Sequence, residues 1–278
     1  MADPADEPRH RFLRFSLRAL FCVLTLFTVL LGWAAHKARK QGAAVAQLEE
    51  MGCSVRYYTR GELNIGERIR MWLGEAEPRD AVSVSGDRSD LQDDGLANLR
   101  ELCRLKVLAI GNTRVTDKGL VHLEGLTDLA SLDLSRTKVT DAGLAHLSAL
   151  AHLWRLGFEN TLVSDEGIGH LQPLTELGGM DLTGTRVTDD GICQLQRFAD
   201  LTFLRLGRTQ ITDAGLDHLA ELTKLERLDL PGTAITDVGL LHLKGLSKLR
   251  YLDVEKTHVT DVGVRELQKA LPNCRIEH

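Results

Sequence analysis

The sequence predicts an α/β solenoid, in which short parallel strands form one side, short helices form the other, and like coils stack in a row. Three observations predict it. First, Thr-Asp or Ser-Asp pairs begin at Thr116, Thr140, Ser164, Thr188, Thr212, Thr236 and Thr260, a strict 24-residue period, and an eighth, worn copy precedes them as Gln92-Asp93-Asp94-Gly95-Leu96. Second, each period carries two patterns in succession. Leu132 and Leu134 alternate with Ser131, Asp133 and Ser135 as in a strand with one buried face, while Leu120, Leu123, Leu126 and Leu129 recur every third residue as in a helical run. Third, one copy cannot bury its own leucines, because its interior lies open above and below. Stacking covers those side chains and pairs each strand's N–H and C=O groups with the next strand.

Taken in order, residues 1–18 are a polar tail in which Arg9, Arg11, Arg14 and Arg18 outnumber Asp3, Asp6 and Glu7. Residues 19–35 contain no charge, and as a helix they reach about 26 Å, the lower limit for crossing a bilayer. Phe12, Leu13, Phe15 and Leu17 extend the apolar stretch if Arg14 and Arg18 snorkel, and Trp33 suits the far interface. A single transmembrane helix is predicted, with a cleaved signal peptide (Gly32-Trp33-Ala34 as the small-x-small site) as the alternative. The Arg-rich tail places the N-terminus inside and the repeats outside the cytoplasm, against Lys37, Arg39 and Lys40 beyond the span.

Residues 36–50 read as a helical stalk. Residues 51–90 read as an N-terminal cap: a strand through Cys53, Val55 and Tyr57, an amphipathic helix on Ile65, Ile69, Trp72 and Leu73 ended by Pro78, and a strand through Val82 and Val84. Residues 91–278 are the repeats. In each, Val139 or its equivalent points inward, and Thr140 or Asp141 offers an oxygen to the free N–H groups of the helix start. Ile276 falls in register with the strand leucines, so 271–278 close the stack.

The pattern Leu-x-x-Leu-x-Leu-x-x-Thr-x-Val-Thr-Asp-x-Gly-Leu resembles the leucine-rich repeat, most of all its cysteine-containing type, with Thr where Cys or Asn is usual. The resemblance implies a right-handed superhelix with the sheet on the concave face and helices on the convex face. Arg14-Phe15-Ser16-Leu17-Arg18 and the following apolar run resemble the membrane anchor of leucine-rich repeat proteins from planctomycete bacteria.

Composition excludes some functions. A net charge of −5 gives no general attraction to nucleic acid. The five cysteines, Cys22, Cys53, Cys103, Cys193 and Cys274, are scattered, with no CxxC or disulfide-framework spacing. No nucleophile elbow, HExxH, Walker A or Rossmann fingerprint is present, so no enzyme activity is predicted. Asp87, Asp90, Asp93 and Asp94 lack EF-hand spacing and read as a solvated turn.

Repeated columns invite chemistry, yet each has a structural account. His122, His146, His170, His218 and His242 form a column interrupted by Gln194; the bland reading is a seam between neighbouring helices, the alternative a metal or pH sensor. The Asp column (Asp117, Asp141 and equivalents) reads as acids at positive helix ends. The Thr column (Thr113, Thr137 and equivalents) reads as hydroxyls satisfying turn backbone, and the Gly column (Gly119, Gly143 and equivalents) as close approach between coils.

Function is expected on the concave strand face. One column there reads Val107, Ser131, Arg155, Gly179, Phe203, Arg227, Tyr251, and its neighbour Ala109, Asp133, Gly157, Asp181, Arg205, Asp229, Asp253. Solvent gives no reason to expose Phe203 and Tyr251, and an aromatic–Arg–aromatic row beside carboxylates has the composition of a binding hot spot. Departures from the consensus gather in the same half: Trp154, Gly157, Phe158, Met180 and Gln194. The predicted protein-binding residues are Arg155, Phe203, Arg205, Arg227, Asp229, Tyr251 and Asp253. The predicted function is a membrane-anchored protein–protein interaction module, with no cofactor, metal, nucleic acid or small-molecule substrate. One alternative is a substrate adaptor similar to the F-box leucine-rich repeat proteins of ubiquitin ligases, although no F-box precedes the repeats; the other is a metal or pH sensor using the His column.

Overall fold

The computed structural model describes residues 17–57 and 81–278; residues 1–16 of the expected tail, and the expected helix through Ile65, Ile69, Trp72 and Leu73, lie outside the described residues. The chain enters as one continuous helix, α1 (Leu17–Glu50). Strands β1 (Ser54–Tyr57) and β2 (Ala81–Ser85) follow. Each regular coil then adds one strand of three residues: β3 (Val107–Ala109), β4 (Ser131–Asp133), β5 (Arg155–Gly157), β6 (Gly179–Asp181), β7 (Phe203–Arg205), β8 (Arg227–Asp229), β9 (Tyr251–Asp253) and β10 (Arg275–Glu277). Among the described residues they make one ten-stranded sheet whose spatial order is the chain order.

Register follows the period. Leu108, Leu132, Leu156, Met180, Leu204, Leu228, Leu252 and Ile276 pair in succession, all parallel. Only β1 runs antiparallel, along the free edge of β2. That pairing covers the outer N–H and C=O groups of β2 and leaves the four-residue β1 as the edge among the described residues.

Short helices α2 (Asp93–Leu96), α3 (Asp117–Leu120), α4 (Asp141–Leu144), α5 (Asp165–His170), α6 (Asp189–Leu195), α7 (Asp213–Leu219), α8 (Asp237–Leu240) and α9 (Asp261–Ala270) line the other side. Each begins on its column Asp. Thr116, Thr188, Thr212, Thr236 and Thr260 accept from the backbone N–H two residues on; Thr140 and Ser164 make no such cap. Between strand and helix a buried Thr closes the turn: Thr137 Oγ1 donates to the Leu134 carbonyl at 2.6 Å, and Thr113, Thr161, Thr185, Thr209 and Thr233 repeat that bond.

The Asp column does more than face a helix dipole. Asp117 accepts the backbone N–H and the hydroxyl of Thr140, one coil later, both at 2.7 Å. The same clasp joins Asp93 to Thr116, Asp141 to Ser164, Asp165 to Thr188, Asp189 to Thr212, Asp213 to Thr236 and Asp237 to Thr260. The Thr260 bonds hold the Asp237 carboxyl below its ordinary pKa. The Gly column makes room for this clasp. A Cβ at Gly143 would stand 2.4 Å from Asp117 Oδ1, and one at Gly167 2.4 Å from Asp141 Oδ1.

A single apolar core runs from Val45 to Cys274. Phe158 and Met180, which break the leucine pattern, are fully buried in it, so those two departures are packing adjustments and touch no partner. Coverage of the first layer begins before β1. Ala44, Val45 and Leu48 of α1 are buried, and Lys40 pairs with Glu101 at 3.9 Å, so the end of the helix lies on the first coil.

The exposed sheet face as candidate functional site

Alternation in a strand sends its middle residue into the core and its two neighbours to the open face. The parallel register then brings Phe203, Arg227 and Tyr251 side by side on β7, β8 and β9, and Arg205, Asp229 and Asp253 beside them. Gly179 lies between Arg155 and Phe203 in the first of these rows. Having no side chain, it lets both neighbours lean in: its Cβ position is 3.6 Å from Phe203 and 3.8 Å from Arg155.

Phe203 therefore sits among three guanidinium groups, with Arg155, Arg205 and Arg227 at 5.6, 4.9 and 5.8 Å from the ring centroid. Arg227 also lies 4.2 Å from the Tyr251 centroid. Such contacts contribute about 0.5–1 kcal/mol each at exposed sites.

Carboxylates fix two of these three guanidiniums. Asp229 is buried and accepts Arg205 Nε at 2.9 Å and Arg227 Nε at 3.0 Å. Asp181 accepts Arg205 Nη1 at 3.2 Å and the Thr183 N–H at 3.1 Å. Burial alone would lower the pKa of Arg205, but Asp229 and Asp181 outweigh it and raise the pKa further. At the far end the Tyr251 hydroxyl donates to Glu277, whose other oxygen takes Arg275 at 2.6 Å. That hydrogen bond pushes the Tyr251 phenol up to about 12 and holds Glu277 below its usual range.

Six of the seven expected residues, Arg155, Phe203, Arg205, Arg227, Asp229 and Tyr251, thus form one connected set. Asp253 stands beside them with a local task, accepting the Glu255 N–H at 2.9 Å to shape the turn. Three contributors escape sequence reading by column. Asp181 looks like one more turn acid, and Glu277 belongs to the closing segment beyond the regular period. Trp154, visible in the sequence only as a broken column, lies with its indole over Gly178, whose Cβ position is 2.1 Å from Nε1, and remains 53% exposed.

The helix side shows no comparable cluster. His146 and His242 meet Glu124 and Asp217 from the preceding coil at 2.6 and 3.0 Å, the contacts of a seam between neighbours. Gln194, which interrupts the column, donates to the Asp165 carbonyl at 3.0 Å. Nδ1 of His122 is buried without a hydrogen-bond partner. Among the described residues no three His, Cys, Asp or Glu side chains come together as metal ligands. Asp93 is occupied by its clasp and Asp87 by the Asn112 amide at 2.8 Å. Burial raises the Cys53 thiol, and the Cys274 thiol to about 11, so neither is an activated nucleophile.

A leucine rich repeat family model matches residues 125–148, 221–243 and 245–267. No curated protein matches the chain by sequence. Among solved structures, an internalin C2 of Listeria monocytogenes superposes with a TM-score of 0.58 at 23% identity, over 75% of this chain and 89% of that one. A leucine-rich repeat protein of Leptospira interrogans gives 0.51 at 20% identity, over 66% of this chain and 45% of that one. At these identities the likeness is one of fold. Coils of 24 residues with one strand, one clasped turn and one short helix each, three of them matched by the family model, make this chain a leucine-rich repeat protein.

Proposed function

We propose that the chain is a membrane-anchored interaction module that binds a protein partner through the open sheet face around Phe203 and Tyr251. One observation carries this reading. No described element covers the face, yet it bears a connected row of two aromatic rings and three guanidiniums, two of which, Arg205 and Arg227, are already held by carboxylates. Preset side chains of this kind lose little freedom on docking, and Arg and Tyr are the residues that dominate binding energy at interfaces. Arg155, Phe203, Arg205, Arg227, Asp229 and Tyr251 make the contact surface, with Asp253 at its rim.

The anchor is residues 19–35. In α1, Phe21, Val23, Leu26 and Trp33 are between 61 and 68% exposed, and the helix is long and apolar enough to cross a membrane by length and composition. A water-exposed row of that size is costly, and a bilayer covers it. The Arg-rich tail favours a single pass with the repeats outside the cytoplasm.

A photo-crosslinking amino acid at position 203 or 251, in the full chain in its native membrane, tests the reading. Discrete protein adducts that disappear with Arg227→Ala, on a chain that resists carbonate extraction, support it. Absence of adducts at both positions refutes the partner, and release by carbonate refutes the anchor.

A further inference from the structure

The cations of the open face are unequally satisfied. Arg205 and Arg227 share Asp229, Arg205 also holds Asp181, and Arg275 holds Glu277. Arg155 is exposed and pairs with no carboxylate among the described residues; its guanidinium rests 5.6 Å from the Phe203 centroid. The acids in the adjoining column are engaged elsewhere, Asp133 by the Ser135 N–H at 2.9 Å and Asp181 by Arg205 and Thr183. In register Arg155 lies between Ser131 and Gly179, whose missing side chain leaves room for Arg155 and Phe203 to lean together. Trp154 precedes it, laid flat over Gly178 with half its surface in water.

From these facts we infer that Trp154, Arg155 and Phe203 form an anchoring subsite for an acidic peptide segment, in which a partner carboxylate meets the Arg155 guanidinium and an adjacent apolar side chain lies on the Trp154 indole. The inference rests on the proposal that this face binds protein, and it names the chemistry of the partner. A guanidinium with unused N–H donors, held beside a ring, accepts a carboxylate through two parallel bonds. The same place repels a cationic partner. Gly179 matters because, having no side chain, it lets Arg155 and the Phe203 ring stand together at the point where the charge waits.

The test uses the full chain in detergent and short fluorescein-labelled peptides in which Glu adjoins Leu or Phe, the same peptides with Gln for Glu, and the same with Lys for Glu, read by anisotropy. The Glu set is expected to bind about ten-fold more tightly than the Gln set, and the Lys set more weakly still. Arg155→Ala should make Glu and Gln peptides bind alike. Arg155→Lys should restore part of the preference, a readout that a merely damaged fold would not give. Trp154→Ala should weaken both sets while keeping their ratio. Gln or Lys peptides binding as tightly as Glu peptides overturns the inference while leaving the docking face in place. No binding by any set, with photo-adducts still forming at position 203, overturns it in the same way; loss of both removes the docking face as well.

Discussion

The Asp141 carboxylate accepts two hydrogen bonds from Ser164 of the next coil, the backbone N–H at 2.7 Å and the hydroxyl at 2.6 Å, and presses against Gly167 of that same coil. Seven such clasps turn a column of acids at helix starts into the polar fastening between coils. The first prediction follows from the geometry at Gly167. Gly167→Ala should destabilise by about 1–3 kcal/mol, because the new Cβ falls 2.4 Å from Asp141 Oδ1. In an Asp141→Ala background the same change should cost clearly less, since the obstructing oxygen is gone and only Leu144 and Val163, each 3.1 Å from the new Cβ, must give way. Urea melts of the four chains decide it; additive losses would show that the carboxylate and the glycine do not share one space.

Most of this architecture is legible from one repeat, because strand alternation, leucine spacing and the capping Thr are local signals. The clasp is not local: its partners stand 23 residues apart, and reading one copy suggests only an acid near a helix dipole. Its trace survives at the two ends. The worn first copy has Gln92 where others have Thr or Ser, and the sequence carries Ile69 one period before Asp93, yet it keeps Asp93, which clasps Thr116. Asp261, the last of the column, takes His278 instead, at 3.0 Å. On the sheet face the row through Phe203 and Tyr251 was legible because columns are visible at a fixed period. Glu277 was not, since it lies past the last full period, and Trp154 was visible only as a departure from the repeat, its place over Gly178 appearing only in the fold.

Asp229 should be the costliest acid of the face to remove. It is buried and shared by Arg205 and Arg227, so Asp229→Ala leaves two guanidiniums facing each other. With both Arg side chains 38–40% exposed, the loss should be about 1–3 kcal/mol, below that of a fully buried pair. Added salt should recover part of it by screening the repulsion. Arg227→Ala should cost less, as Asp229 keeps Arg205. Thermal melts at low and high ionic strength compare the two variants, and a larger loss for Arg227→Ala would contradict the shared-acid account.

Tyr251 makes a spectroscopic prediction. Its hydroxyl bond to Glu277 raises the phenol to about 12, above the usual value near 10. The raised value favours the neutral form in the fold. The bond's contribution to stability is therefore complete below about pH 10 and is lost as pH rises toward 12. An ultraviolet phenolate titration of the native chain should lose its highest transition in Tyr251→Phe. Glu277→Gln should bring that transition down. A missing transition near 10 in Tyr251→Phe would place Tyr251 in ordinary solvent.

The last prediction concerns where α1 passes from the proposed anchor to the solenoid. Phe21, Leu24, Phe27 and Leu30 are exposed, whereas Ala44, Val45 and Leu48 are buried, and Leu48 belongs to the same core as the strand leucines. One helix thus has an exposed apolar part and a part buried in the core, and the change falls between Trp33 and Ala44. A chain beginning at Gln41 should lose membrane association yet keep its melting temperature, because every buried contact of the helix survives. A chain beginning at Gly52 should melt substantially lower and bind a hydrophobic dye, because the first layer of leucines, including Leu99, loses its lid. Leu48→Ala in the full chain should cost about 2–4 kcal/mol, as for any well-packed core leucine, while Leu30→Ala should leave unfolding unchanged. Equal stability of the two shortened chains would mean that β1 and β2 cap the stack unaided, and that residues 44–50 are only a tether.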